Sequence, residues 1–482
     1  MGSARLQFVK QQSVSTYQTG LGLTEAFSII IGRIIGSGIF RTPASVMLAV
    51  SGYLGPFFAV WILGGFFTFL SALLYSEMVA MLPKNGGPYV YLRTAFPPVI
   101  SFLRGWAMFF VSETASIVVV SIVFSEYSSR MIVIAGYDDP GLGFRGLLSL
   151  GVIWSLTGAN MLGVRFSGLF QDVLSLVKMG SLAAVIIVGT VFDPQTSHFA
   201  GPWWPDQLEI EMISGMAVAL RYVLFSYSGW EGATYVAEEV KNSAKNLPRS
   251  LFAGIGMVML LYIFANIAYV LQLSSTELIE SASVAAVALE RAAGNVGGLL
   301  ISLAVAANTF GNVNSQIFTK SRTWQAMARD GLFFRILAPL SRSGVPAMSL
   351  LFQALWATVL LLFAWIADYC KAEGEKSAYD RVIDFFTFTS AIFNFLTFYA
   401  VFRLRKLFPE KPRPFRTPAF LPVFLTVILI QIAFAVFTFL TSPFASLAGL
   451  ALTSTGLIYW HLAVSSEVKE NLRGNDPQKK FL

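Results

Sequence analysis

The sequence predicts an all-α polytopic membrane protein, and three observations carry that prediction. Hydrophobic residues make up 55% of the 482 and charged residues only 13%, about half the charge density usual in a soluble protein. The apolar residues gather into about twelve runs of the length a helix needs to cross a bilayer core, ~20 residues. Lys and Arg are distributed unevenly between the segments that join those runs.

Taken in order, the runs cover 22–50, 53–82, 97–135, 144–165, 168–192, 210–240, 250–273, 297–329, 346–367, 380–404, 419–440 and 443–466. The third is long enough to be strongly tilted. With both termini in the cytoplasm, 24 of the 34 Lys and Arg fall on inner segments. With residues toward the ends of a run counted with the adjoining segment, six fall on the outer side and four remain within runs (Arg33, Arg41, Lys178 and Arg221). This is the positive-inside pattern, and it accounts for the net charge of +7 without any nucleic-acid partner. The polar stretch before residue 22 has no short apolar core with a cleavage site, so the first run reads as a true span rather than a secretion signal.

The same composition excludes several chemistries. One cysteine, Cys370, permits no internal disulfide, and with two histidines there is no metal-ligand spacing. No His-centred or paired-carboxylate constellation supports an enzyme, and no cofactor is expected.

Two runs are abnormal. The first holds "GRIIGSGIF" from Gly32 to Phe40, and the sixth holds "FSYSGWEGATY" from Phe225 to Tyr235. Glycine inside a helix costs about 1 kcal/mol against alanine, and lipid cannot satisfy an opened backbone. Such clusters mean either close helix crossing or a deliberate break. Their positions, five spans apart, are where a five-plus-five inverted repeat places its discontinuous helices, with the substrate between the half-helix ends. The expected organisation is a cytoplasmic segment 1–21, a first repeat 22–192, a second repeat 210–404, two further spans over 419–466, and a cytoplasmic tail 467–482.

Four stretches resemble one family. "GRIIGSGIFRTP", residues 225–251 with their acidic pair and "NLPRSL", "FGNVNSQIFTKSRTWQAMARDG" (310–331) and residues 384–418 are similar to amino acid/polyamine/organocation transporters. Among these, the resemblance is to the L-type amino acid transporter light chains. It implies the LeuT-type fold, with helices 1 and 6 discontinuous, and alternating access in the cell membrane. It also implies sodium-independent amino acid exchange. A proton-coupled permease of the same fold is the alternative, and a channel or nutrient receptor is the alternative from another class. Eukaryotic light chains join a heavy chain through a cysteine in the third outer-facing segment. Residues 135–146 here, "AGYDDPGLGFRG", contain none, so no disulfide-linked heavy chain is expected and a stand-alone bacterial member is the better match.

For an amino acid cargo, the unwound stretch Ile34, Ile35, Gly36, Ser37 and Gly38 would present backbone N–H groups to the carboxylate. Carbonyls around Phe225, Ser226, Ser228, Gly229 and Trp230 would take the ammonium. The resemblance implies that Phe225 acts as an aromatic lid. Lys178 lies about ten residues into its run, ~15 Å deep at 1.5 Å per residue, where a charge is costly and usually functional. The resemblance implies that it stands where sodium-coupled relatives hold a cation. Tyr269, Asn312 and Asn314 are candidates to hydrogen-bond that lysine or the substrate, or to join helices. Arg33 faces the inner vestibule, pairs with a carboxylate or meets an anionic side chain. Glu231 is either a proton or substrate-cation sensor or one half of a structural pair.

Overall fold

The computed structural model describes residues 21–84, 87–162, 168–201, 203–207, 209–342, 344–370, 376–464, 466 and 468. The expected terminal segments 1–21 and 467–482 lie outside this set, save Leu21 and Val468. Helices dominate, and no β-strand occurs among the described residues beyond an isolated bridge between Leu21 and Val240.

The first run divides into α1 (Leu23–Ile34) and α2 (Gly38–Ala49), which meet at a 45° bend. Next come α3 (Leu54–Met81), the short α4 (Pro88–Ala95), and a third run built from α5 (Pro98–Ala107) and α6 (Glu113–Ile134). A π turn, Met108–Ser112, joins those two halves. There Thr114 Oγ1 donates to the Phe109 carbonyl at 2.7 Å, which satisfies an acceptor freed by the wider turn. Then follow α7 (Gly141–Met161), α8 (Gly168–Val191), α9 (Ile210–Ser226), a 3-10 stretch Trp230–Glu239, α10 (Ser243–Gln272) and the short α11 (Ser275–Glu280). The chain closes with α12 (Val284–Arg329), α13 (Ala347–Tyr369), α14 (Ala378–Leu407), α15 (Phe420–Thr441) and α16 (Pro443–Leu462). Helix α12 is kinked at Ala293–Gly294, where Gly294 takes a left-handed φ of +68° that suits a residue without Cβ. Every predicted run therefore holds helix. Among the described residues, eight helices are long and apolar enough to cross a membrane, or nine with α1 and α2 as one span.

The helices pack so that the first and sixth runs touch along both halves. Helix α2 lies beside α9, and α1 lies beside the 230–239 stretch and α10. The ends of the bundle are tied by ion pairs. At the predicted inner end, Arg405 grips Glu77 through two bonds of 2.6 and 2.7 Å, and the Thr417 N–H adds a third at 2.9 Å. At the predicted outer end, Arg41 meets Glu126 at 3.1 Å, while Ser45 Oγ donates to Asp380 at 2.7 Å. Deeper in the bundle, Arg221 is fully buried and pairs with Asp384 at 2.7 Å, with Lys376 on the other carboxylate oxygen. A buried charge is tolerable only when so compensated.

Candidate transport site

The two glycine-rich clusters are real interruptions. Helix α1 ends as Ile35 turns extended (φ −69°, ψ 91°), and α2 restarts after Ser37. Helix α9 ends at Ser226, and Gly229 then takes a φ of +94°, which an L side chain rarely adopts. The breaks also lie against each other. A Cβ on Gly38 would meet Ser226 Cα at 2.7 Å and its Oγ at 2.6 Å, and one on Gly229 would meet the Arg33 carbonyl at 2.9 Å. Breaking and close crossing were alternative accounts of these glycines, and the molecule uses both. Gly38 is there for the crossing. At Gly36 there is more room, the nearest atom being the Asn312 amide nitrogen at 3.4 Å.

The freed carbonyls are served from outside. The Tyr262 hydroxyl lies 3.0 Å from the Ile34 carbonyl and 3.1 Å from that of Ser226, so one side chain of α10 bridges both breaks. Lys178 Nζ donates to the Gly32 carbonyl at 3.2 Å, placing a cation at the C-terminal end of α1, where the helix dipole favours it.

Several expected partners of Lys178 serve elsewhere. Asn314 accepts from Asn160 Nδ2 at 2.8 Å, which makes it a tie between α12 and α7. Asn312 Oδ1 accepts from Gln316 at 2.9 Å while its amide faces Gly36. The Tyr269 hydroxyl is buried without a partner among the described residues; the tyrosine that reaches the breaks is Tyr262, two helical turns earlier on the same face. The spacing of the two tyrosines puts both toward the bundle interior, and sequence reasoning singled out Tyr269 without Tyr262.

Arg33 is exposed and makes no ion pair among the described residues. Its side chain crosses Gly232, where a Cβ would meet Arg33 Cδ at 2.2 Å, and its guanidinium lies 5.9 Å from the Tyr235 ring centre. It thus straps the inner half of the first run to that of the sixth. Glu231 likewise makes no ion pair among the described residues, whereas Glu113 pairs with Lys320 at 2.6 Å.

Residues 225–231 have a second face. Ser226 and Gly229 touch the first run, while Phe225, Ser228, Trp230 and Glu231 line a cavity bounded by α3, the third run, α14 and α15. Centres of water-sized molecules can occupy about 190 Å³ of it. Phe225 packs on Tyr379 and Phe386 with ring centres 6.3 and 5.9 Å away, and Trp230 packs on Tyr75 at 4.7 Å. None of Ile34 to Gly38 lines this space.

Half-helices that meet break against break, inside a many-spanned helical bundle, define a secondary membrane transporter. A model of the amino acid permease family matches residues 21–465. The human large neutral amino acids transporter small subunit 2 is 33% identical over 451 residues, spanning 92% of this chain and 80% of that protein. The human b(0,+)-type amino acid transporter 1 is 30% identical over 429 residues, 88% of this chain and 84% of its own. Its rat counterpart is 30% identical over 476 residues, 98% and 93% of the two chains. The chain belongs to the amino acid permease family and is related to the L-type light chains. It is a transporter and not an enzyme.

Proposed function

We propose that this protein is a sodium-independent amino acid exchanger in the cell membrane, with twelve spans and both termini cytoplasmic. Its substrate is held between the breaks of the first and sixth spans. The carboxylate sits on the backbone N–H groups of Gly36 to Gly38, and the ammonium sits on carbonyls near Phe225 and Ser226. The observation that carries the reading is Lys178 Nζ on the Gly32 carbonyl. A tethered cation supports the carbonyl end of α1 without a dissociable ion. Large neutral amino acids, named in the description of one relative, are the first substrates to test.

The experiment is counterflow in proteoliposomes. Uptake of labelled leucine should be stimulated by leucine inside and be equal in sodium and choline media. Uptake that ignores internal leucine, or that needs sodium, overturns the assignment.

One observation favours proton-coupled uptake as a second reading: Glu231 lines the cavity without an ion pair among the described residues. A pH gradient that drives net leucine accumulation in the absence of internal leucine would establish it.

The chain works in this reading without a disulfide-linked heavy chain. Residues 135–146 contain no cysteine, and the single thiol, on Cys370, is exposed at the end of α13. Non-reducing electrophoresis of native membranes should show the chain at its own mass. A heavier band abolished by Cys370→Ser would refute this.

A further inference from the structure

The cavity on the far face of the sixth-run break contains four charged side chains: Arg104, Glu113, Arg221 and Glu231. Two are committed, Glu113 to Lys320 and Arg221 to Asp384. Arg104 and Glu231 make no ion pair among the described residues, with each other or with anything else. Arg104 is 8% exposed, and its guanidinium lies 5.7 Å from the Phe393 ring centre. Arg104 feels the charges of Glu231 and Glu113, yet among the described residues neither Arg104 nor Glu231 has the direct ion pair that best compensates a buried charge. One positive and one negative group held apart across a cavity can be satisfied together by a molecule that carries both charges.

The remaining walls agree with such an occupant. Trp230, Tyr75, Phe398 and Phe67 form a continuous aromatic side, each ring centre within 4.7 to 6.2 Å of the next. The hydroxyls of Ser71 and Ser112, both on the cavity wall, are buried without a partner among the described residues. Unpartnered buried hydroxyls are uncommon in folded proteins.

We propose that this cavity is a second seat for an amino acid zwitterion with an apolar side chain, distinct from the seat between the two breaks. Arg104 takes the carboxylate, Glu231 takes the ammonium, and the aromatic wall takes the side chain. The proposal rests on reading the chain as an amino acid carrier. It places the two seats on opposite faces of residues 225–231, so that backbone carbonyls near Phe225 and Ser226 serve one while the side chains of Phe225, Ser228 and Trp230 line the other.

The test is equilibrium binding of tritiated L-leucine to the purified full-length chain, with monodispersity checked for every variant. The wild type should bind two equivalents. Arg104→Gln should bind one, and so should Ser390→Phe, which fills the cavity from its α14 wall while leaving every charge in place. Gly36→Leu, which alters only the seat between the breaks, should also bind one. A single equivalent in the wild type overturns the proposal, as do two equivalents in Ser390→Phe. Two equivalents in Arg104→Gln overturn the zwitterion assignment. Two in Gly36→Leu with one in the cavity variants would remove the seat between the breaks and leave this one standing.

Discussion

Replacing Lys178 by alanine should slow exchange about 10- to 100-fold while leaving the protein folded. Among the described residues Lys178 donates to one acceptor, the Gly32 carbonyl, at 3.2 Å, longer than the ~2.7–2.9 Å of a strong charge-assisted bond. Hydrogen bonds to charged groups contribute about 1.5–3 kcal/mol net, and a cation at a helix C-terminus adds ~0.3–1 kcal/mol. The lower part of that combined range, ~1.8–3 kcal/mol, corresponds to one or two decades in the balance between conformations, since about 1.4 kcal/mol is tenfold. This is below the ~3–5 kcal/mol of a broken buried ion pair, because Lys178 is only partly buried and its partner is a neutral carbonyl. The assay is radiolabelled leucine exchange in proteoliposomes, run in sodium and in choline, for wild type, Lys178→Ala and Lys178→Arg. Wild-type flux should be the same in both media, Lys178→Ala should be slow in both, and Lys178→Arg should recover part of the loss. Unimpaired flux in Lys178→Ala, or rescue of that variant by sodium, would refute the idea that this ammonium is a fixed cation supporting the first break.

At the breaks, Gly36→Leu should abolish leucine binding at that seat in a well-folded protein, whereas Gly38→Leu should fail to fold, because its Cβ would sit 2.7 Å from the Ser226 backbone. Size-exclusion profiles of the two variants separate the cases, and a monodisperse Gly38→Leu would contradict the packing argument. Glu231→Gln should flatten the pH dependence of leucine uptake without abolishing exchange, and an unchanged profile measured from pH 5 to 8 would remove its role as a sensor. Asp384→Asn should lower the thermal stability of the detergent-solubilised protein by about 3–5 kcal/mol, since it leaves Arg221, fully buried, facing a neutral amide; an unshifted melting curve would refute the claim that this buried pair stabilises the bundle.

Much of this architecture was legible in the sequence because the membrane constrains it so strongly. Length of apolar run, charge asymmetry and glycine clusters each reflect a large energy, and all twelve predicted runs hold helix. The breaks were found for the same reason: nothing but function or close crossing keeps three glycines within residues 32–38 of an apolar run. What stayed hidden depends on rotation about helix axes. Whether Tyr262 or Tyr269 reaches the breaks, and whether Asn314 serves Lys178 or Asn160, turns on a few tens of degrees that no residue pattern records. The two-sided nature of residues 225–231 was hidden too, although the spacing of Phe225 and Ser228 against Ser226 and Gly229 already separates two helical faces. Arg104 escaped notice because it lies near the start of the third run, where an arginine is an ordinary topology signal.

Tyr262 has one hydroxyl proton and stands within reach of two carbonyl oxygens, those of Ile34 and Ser226. The arithmetic leaves the pair short by one donor. When the first break moves away from the sixth, the proton can follow only one of them, and the other oxygen is left bare at the moment the two half-helices part. One phenol thus serves two carbonyls with a single proton, and in the proposed transport cycle the carbonyl it leaves would be open to an arriving ammonium.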